Sequence, residues 1–169
     1  MALFSTQEFN SLEDLLLNQL EDLYDAEHRI IRALPKMSEA AHSPDLKRAI
    51  DHHLAQTRQQ VDRLDTIFRQ LNKSPERETC EAMKGLLREG EEMVDAKGNP
   101  DVRDAAIIAA AQRVEHYEMA GYGTARSLAQ HLGYAEAVRL LQTTLDEENE
   151  ADQKLTQIAE SQVNIHALH

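Results

Sequence analysis

The sequence predicts an all-α protein: an antiparallel four-helix bundle with an extra helix in the crossover between the second and third long helices. Two observations carry this. Aromatic residues are 4% of the chain, Trp is absent, and Ala, Leu, Glu, Asp and Gln dominate, which is a composition of helix formers rather than of strands. Apolar residues recur in steps of three and four over four long stretches, and no stretch shows a strand pattern. At 169 residues the chain fits one domain, 1–169, large enough to bury a core without disulfides.

The first long helix is expected over about 12–41. Ser11 and Asp14 make a capping-box-like pair ahead of the stripe Leu12, Leu16, Leu20, Leu23, Ile30, Leu34 and Met37. Pro35 lies inside this pattern and should kink the helix or loosen its last turn. Ser43-Pro44, a cap followed by a first-turn Pro, starts the second helix, about 44–72, with Leu46, Ile50, Leu64, Ile67, Phe68 and Leu71 inward. Between Ile50 and Leu64 its stripe turns polar, with His53, Gln56, Thr57 and Gln60.

Lys73-Ser74-Pro75 ends that helix. A connector helix follows over about 78–96, and its Gly85 and Gly90 suit a segment packed on the outside. Lys97-Gly98-Asn99-Pro100 combines a stop, a cap and a first-turn Pro ahead of the third long helix, about 100–132. Its stripe reads Ile107, Ala111, Glu115, Glu118, Tyr122, Ala125, Ala129 and Leu132. Gly133 stops it, and the fourth helix is expected over about 135–161, with Val138, Leu141, Leu145, Glu148, Asp152, Leu155 and Ala159 inward. The tail, 162–169, is expected to fray.

The formal net charge of -12 would repel a phosphate backbone and an anionic membrane surface, so nucleic acid and membrane are not expected partners. No apolar run approaches the roughly 20 residues of a membrane span. The N-terminal MALFSTQEFNS has neither the basic nor the apolar region of a signal peptide, and a cytoplasmic location is the expectation. Cys80 stands alone, with no thiolate-stabilising neighbourhood visible, and reads as an inert thiol.

The chemistry lies in the interruptions. Glu27, His53 with Gln56, Glu115 with Glu118, and Glu148 with Asp152 occupy apolar-stripe positions near the middle of their helices. Residues three or four apart share a helix face, so in an antiparallel bundle each set addresses the same interior level. Singly, each has an ordinary explanation: a snorkelling Glu, a hydrogen-bonded core His, a solvated acidic face at Glu147, Glu148 and Glu150. Together, five carboxylates and an imidazole in a dry core require counter-charge. Two metal ions supply it, and an oxygen-rich set with some imidazole suits iron or manganese. His28, His52 and His116 point away from this level. Tyr122, one turn beyond Glu118, is a packing residue or a hydrogen-bond donor to the site. Ala120, Gly121 and Gly123 would admit another helix closely, within the fold or across a dimer.

The segments LYDAEHRIIRALPKM, HLAQTRQQVDRL, RDAAIIAAAQRVEHYEMAGYGT and LLQTTLDEENEADQKL resemble, in order and spacing, the YciE/YciF-like bacterial stress-response proteins of the ferritin-like superfamily. The resemblance spans nearly the whole chain, and EHYEMAGYGT is its most specific part. It implies a ferritin-like bundle, a homodimer and a rubrerythrin-like dinuclear site with Glu27, His53, Glu115, Glu118 and Glu148 as ligands, and Asp152 as a further candidate. In one place the chain departs from the family: His-Leu-x-Glu-Thr becomes His53-Leu54-Ala55-Gln56-Thr57, and a Gln brings no charge and cannot bridge as a carboxylate does. The expected function is a stress protein with an iron or manganese pair and redox chemistry toward oxygen or peroxide, peroxidase- or ferroxidase-like if enzymatic. Glu115 and Glu148 would bridge, Glu27 and Glu118 would be terminal, and His53 would supply nitrogen. The alternative is a non-catalytic structural or interaction protein with a degenerate site.

Overall fold

A computed structural model describes residues 7–75 and 79–168 of the chain. The expected connector start at Glu78 and the last tail residue, His169, lie outside the described residues. Four long helices, α1 (Leu12–Ala40), α2 (Pro44–Gln70), α4 (Pro100–His131) and α5 (Ala135–Ile158), surround the core, and the shorter α3 (Glu81–Val94) lies against α1 and α4. The packing order around the bundle is α1, α2, α5, α4, and each neighbouring pair is antiparallel. Among the described residues there is no strand.

Local chemistry sets the helix ends. Ser11 accepts the N–H of Asp14, as the capping-box-like pair predicts, while Asp14 accepts the N–H of Asn10, the residue before the cap, rather than that of Ser11 itself. Ser43 and Asn99 cap α2 and α4, each followed by Pro at the first turn. Asn72 (φ 53°) and Gly133 (φ 78°) take the left-handed conformation that ends α2 and α4. Cys80 caps α3, its sulfur accepting the Met83 N–H at 3.3 Å, and burial pushes the thiol up to about 11, which keeps it protonated near neutral pH. Pro35 sits on the exposed side of α1 without ending it.

The tail departs from expectation. After Ile158 the chain continues through a π-helical turn, Ala159–Val163, and a last turn, Asn164–His166. Val163 is buried with Ile107, Ile108 and Ile158, and this apolar contact is what carries helical structure past the expected stop.

The core is divided in two. One apolar cluster, built on Ile30, Leu34, Leu46, Ile50, Ile107 and Leu155, fills the end where α2 and α4 begin. The other, built on Leu16, Leu20, Leu64, Phe68, Tyr122 and Leu141, fills the opposite end. Between them lies a buried polar level. Gly121 allows α1 and α4 to approach there, since a Cβ at that position would stand 2.8 Å from Leu23 Cδ2, whereas Gly123 faces open space.

Two buried aspartates tie distant segments together. Asp25 accepts the N–H of Cys80 at 2.8 Å and pairs with Arg29, anchoring the start of α3. Burial raises the Asp25 carboxyl, but Arg29 and the Cys80 N–H outweigh it and hold the group below its usual range. Asp104 accepts the N–H groups of His42 (2.9 Å) and Ser43 (2.6 Å), joining the α1–α2 link to the first turns of α4. Because its removal leaves these donors without their acceptor, Asp104→Ala is expected to cost about 3 kcal/mol of stability, with Asp104→Asn costing less. Denaturant unfolding checks this, and a loss under about 0.5 kcal/mol would show that the junction does not depend on the carboxylate.

Candidate metal centre

The polar level takes one or two side chains from each long helix. Glu27 follows Leu23 by one turn, His53 follows Ile50, Glu115 follows Ala111, Glu118 precedes Tyr122 by one turn, and Glu148 follows Thr144. All of these residues are buried. The amphipathic phase that buries their apolar neighbours therefore buries them too. His53 Nε2 stands 3.4 Å from Glu115 Oε1 and 3.8 Å from Glu148 Oε2. One ligand atom from each of His53, Glu115, Glu118 and Glu148 lies within 4.8 Å of the other three.

The electrostatics of this cluster are unfavourable without a cation. Burial, then the charges of Glu27 and Glu148, push the Glu118 carboxyl well above its usual range. Glu115 is pushed up by burial and by Glu148, and Glu27 by burial and by Glu148 against a lowering hydrogen bond from Tyr122. Burial lowers His53, with Glu148 opposing it. Protein donors are few: the Tyr122 hydroxyl donates to Glu27, and the Gln60 amide donates to Glu148 and, at 3.1 Å, to Glu147. Both oxygens of Glu118, one oxygen each of Glu27, Glu115 and Glu148, and both ring nitrogens of His53 are buried with no hydrogen-bond partner. Buried acceptors are normally satisfied, so this concentration of unpartnered ones marks a cluster of side chains that could hold a cation. The donor set fits the group: four carboxylates balance two divalent ions, and one imidazole adds nitrogen.

The structure distributes the sequence-predicted residues unevenly. His53, Glu115, Glu118 and Glu148 come together, and Glu27 lies beside them, hydrogen-bonded to Tyr122 and electrostatically coupled to Glu118 and Glu148. Gln56 is half-buried on the wall of an adjoining cleft. Asp152 turns toward α4, accepting the Gln112 amide at 3.0 Å and standing 3.3 Å from His116 Nε2.

Two supporting residues escaped the sequence reading as site members. Gln60 appeared there only as one polar interruption, although it lies seven residues beyond His53 and so on the same face. Arg63 makes a two-pronged pair with Glu147 at 2.6 and 2.7 Å, and the paired carboxylate raises the guanidinium's already high value. That pair fixes α5 beside α2 and leaves Glu148, the next residue, facing inward. A basic residue on the α2 face opposite an acidic run was the only signal for it.

The described residues contain no helix long and apolar enough to cross a membrane. The chain is 43% identical over 155 residues to YciF of Escherichia coli strain K12, covering 91% of this chain and 93% of that protein. Its fold matches the crystal structure of the E. coli stress protein YciF with a TM-score of 0.89, at 43% identity, over 92% of this chain and 99% of that one. It matches YcfI of Rhodopseudomonas palustris, described provisionally as a structural protein, with a TM-score of 0.87 at 44% identity, over 92% and 99% of the two chains. A Xanthomonas campestris protein at 22% identity shares the fold, with a TM-score of 0.73 over 93% of this chain and 96% of that one. A family model described as a domain of unknown function, DUF892, matches residues 11–168, and the chain belongs to that family, a helical-bundle group consistent with the ferritin-like superfamily.

Proposed function

We propose that this protein is a cytoplasmic, homodimeric stress-response protein that holds two iron or manganese ions at the mid-bundle cluster and uses them in redox chemistry with oxygen or peroxide. The observation that carries the reading is Glu118, fully buried, whose two carboxylate oxygens meet no donor other than a proton shared with Glu27. His53, Glu115, Glu118 and Glu148 would hold the ions together with Glu27; Gln56 and Asp152 stand at the margin. A metal pair bound there supplies one-electron redox capacity that the side chains lack. The protein's part is to position and to exclude. Gln60 orients Glu148, Tyr122 donates to Glu27 and fixes that carboxyl in place, and the apolar clusters above and below the level limit the approach of bulk water to it. A structural, non-catalytic role is the second reading. It draws on Gln56, which replaces the acid of the resembling family, and on the structural description of YcfI.

Protein purified without chelator, or reconstituted under reducing conditions, should carry about two equivalents of iron plus manganese per chain. Less than about half an equivalent after reconstitution would sink the reading. Glu118→Gln should bind metal at least about tenfold more weakly while remaining folded, because it removes charge and keeps shape.

The pH dependence of the metal-free protein follows from the raised carboxyls. Glu27, Glu115 and Glu118 hold their protons in the folded chain above the pH at which an unfolded chain releases them, near 4.5. The folded state then binds more protons than the unfolded one, so this contribution is full below that pH and is lost as pH rises through the raised values. Metal-free protein should therefore melt at lower temperature at pH 8 than at pH 6, and manganese should shrink or reverse the difference. A metal-free melting temperature that climbs across this window would contradict buried, proton-holding carboxyls.

A further inference from the structure

The cluster is closed on one side and open on the other. Toward the C-terminal end of α2, Gln60 and Arg63 bind Glu148, Glu147 and Thr144, and large side chains fill the interior. Among the described residues, the hydrogen bonds between α2 and α5 stop there. Toward the N-terminal end of α2, a cleft of about 630 Å³ enters between the two helices. Its cause is legible in the side chains: Ala49, Ala111 and Ala151, from three different helices, line it where larger residues would have closed the gap. Leu34, Met37, Ile50 and Leu155 complete an apolar wall, and the cleft ends on His53 and Glu115, both buried, with the two imidazole nitrogens and one Glu115 oxygen unpartnered.

This space has the size of a small-molecule site rather than of a diatomic gas or peroxide channel. Its lining includes two exposed cations, Arg48 on α2 and Lys154 on α5, in a chain of net charge -12. Asp45, His52 and Glu150 line it too. Arg48 pairs with Asp45 one turn away at an exposed position, a contact worth little, and the guanidinium has five donors, so it can serve a second anion as well. Lys154 has one weak partner, the Gln157 side chain at 3.3 Å. An apolar wall, free polar atoms among the buried lining residues, and one exposed cation from each of α2 and α5, with Asp45 and Glu150 beside them, describe a site for an elongated amphipathic molecule.

We propose that the cleft binds a small organic monoanion with an apolar body, its head group between Arg48 and Lys154 and its far end against His53 and Glu115. The proposal rests on the reading of the cluster as a metal centre and deepens it, giving that centre an organic substrate class in addition to an oxidant. The apolar wall would hold the body by burial, and the two cations would select charge.

Decanoate, 1-decanol and decyltrimethylammonium are suitable probes, titrated below their micelle concentrations into full-length protein, with and without manganese, by calorimetry. Decanoate should bind at one per chain, decanol more weakly and the cation weakest. Ala151→Phe and Ala49→Phe, both at half-buried positions that tolerate a larger side chain, should each weaken decanoate about tenfold or more while leaving manganese content unchanged. Arg48→Glu with Lys154→Glu should weaken decanoate about tenfold and leave decanol within about twofold. Manganese uptake without saturable decanoate binding, or binding that ignores both Phe variants, overturns the cleft assignment. A preference for the cation overturns its charge class. Decanoate binding that obeys the variants in protein unable to take up manganese supports the cleft and sinks the metal reading, so the two fail separately.

Discussion

Four carboxylates buried at one level of an apolar bundle are a constraint to which the surrounding structure answers. Glu27, Glu115, Glu118 and Glu148 come from three helices, and each occupies a position where a Leu would pack without penalty. Their mutual repulsion pushes the helices apart unless protons, hydrogen-bond donors or cations intervene. Each possibility has a visible trace. Burial and neighbouring charge push the carboxyls toward their protonated form, Tyr122 and Gln60 are the donors, and the remaining unpartnered oxygens could serve a cation.

The level is held by features outside it. The two apolar clusters supply the burial that offsets the polar cost, one on each side. The Arg63–Glu147 pair sets the position of α5 against α2 from the half-exposed side, so Glu148 is directed inward by its neighbour's ion pair as well as by helix phase. Asp25 and Asp104 fasten α3 and the α1–α2 link to the bundle, which keeps α1 and α4 in the mutual position that Gly121 permits. The same arrangement leaves the α2–α5 seam unevenly sealed. It is tight where Gln60 and Arg63 cross it and open where alanines line it, giving the cluster one direction of access.

Much of this was readable from residues alone. The helix caps at Ser11, Ser43 and Asn99, the stop at Gly133 and the inward phase of Glu27, His53, Glu115, Glu118 and Glu148 follow from local spacing, and the structure has all of them. The roles of Asp25 and Asp104 did not, because their partners lie 55 and 62 residues away and nothing in the local pattern separates them from solvated acids. Val163 was hidden for a similar reason: a terminal segment looks frayed until a buried surface exists for it to join.

By itself, the sequence determined the four long helices, the level at which polar residues interrupt them, and the acid-rich character of that level. These depend on the 3.6-residue period and on caps, which are local properties. Which interruptions meet was a tertiary decision. Glu148 and Asp152 are one turn apart on α5, and Gln56 is one turn from His53 on α2, so spacing alone ranks them equally. The rotation of each helix about its own axis is set by the packing of its neighbours. That rotation sends Glu148 to His53, Asp152 to Gln112 and His116, and Gln56 to the wall of the cleft.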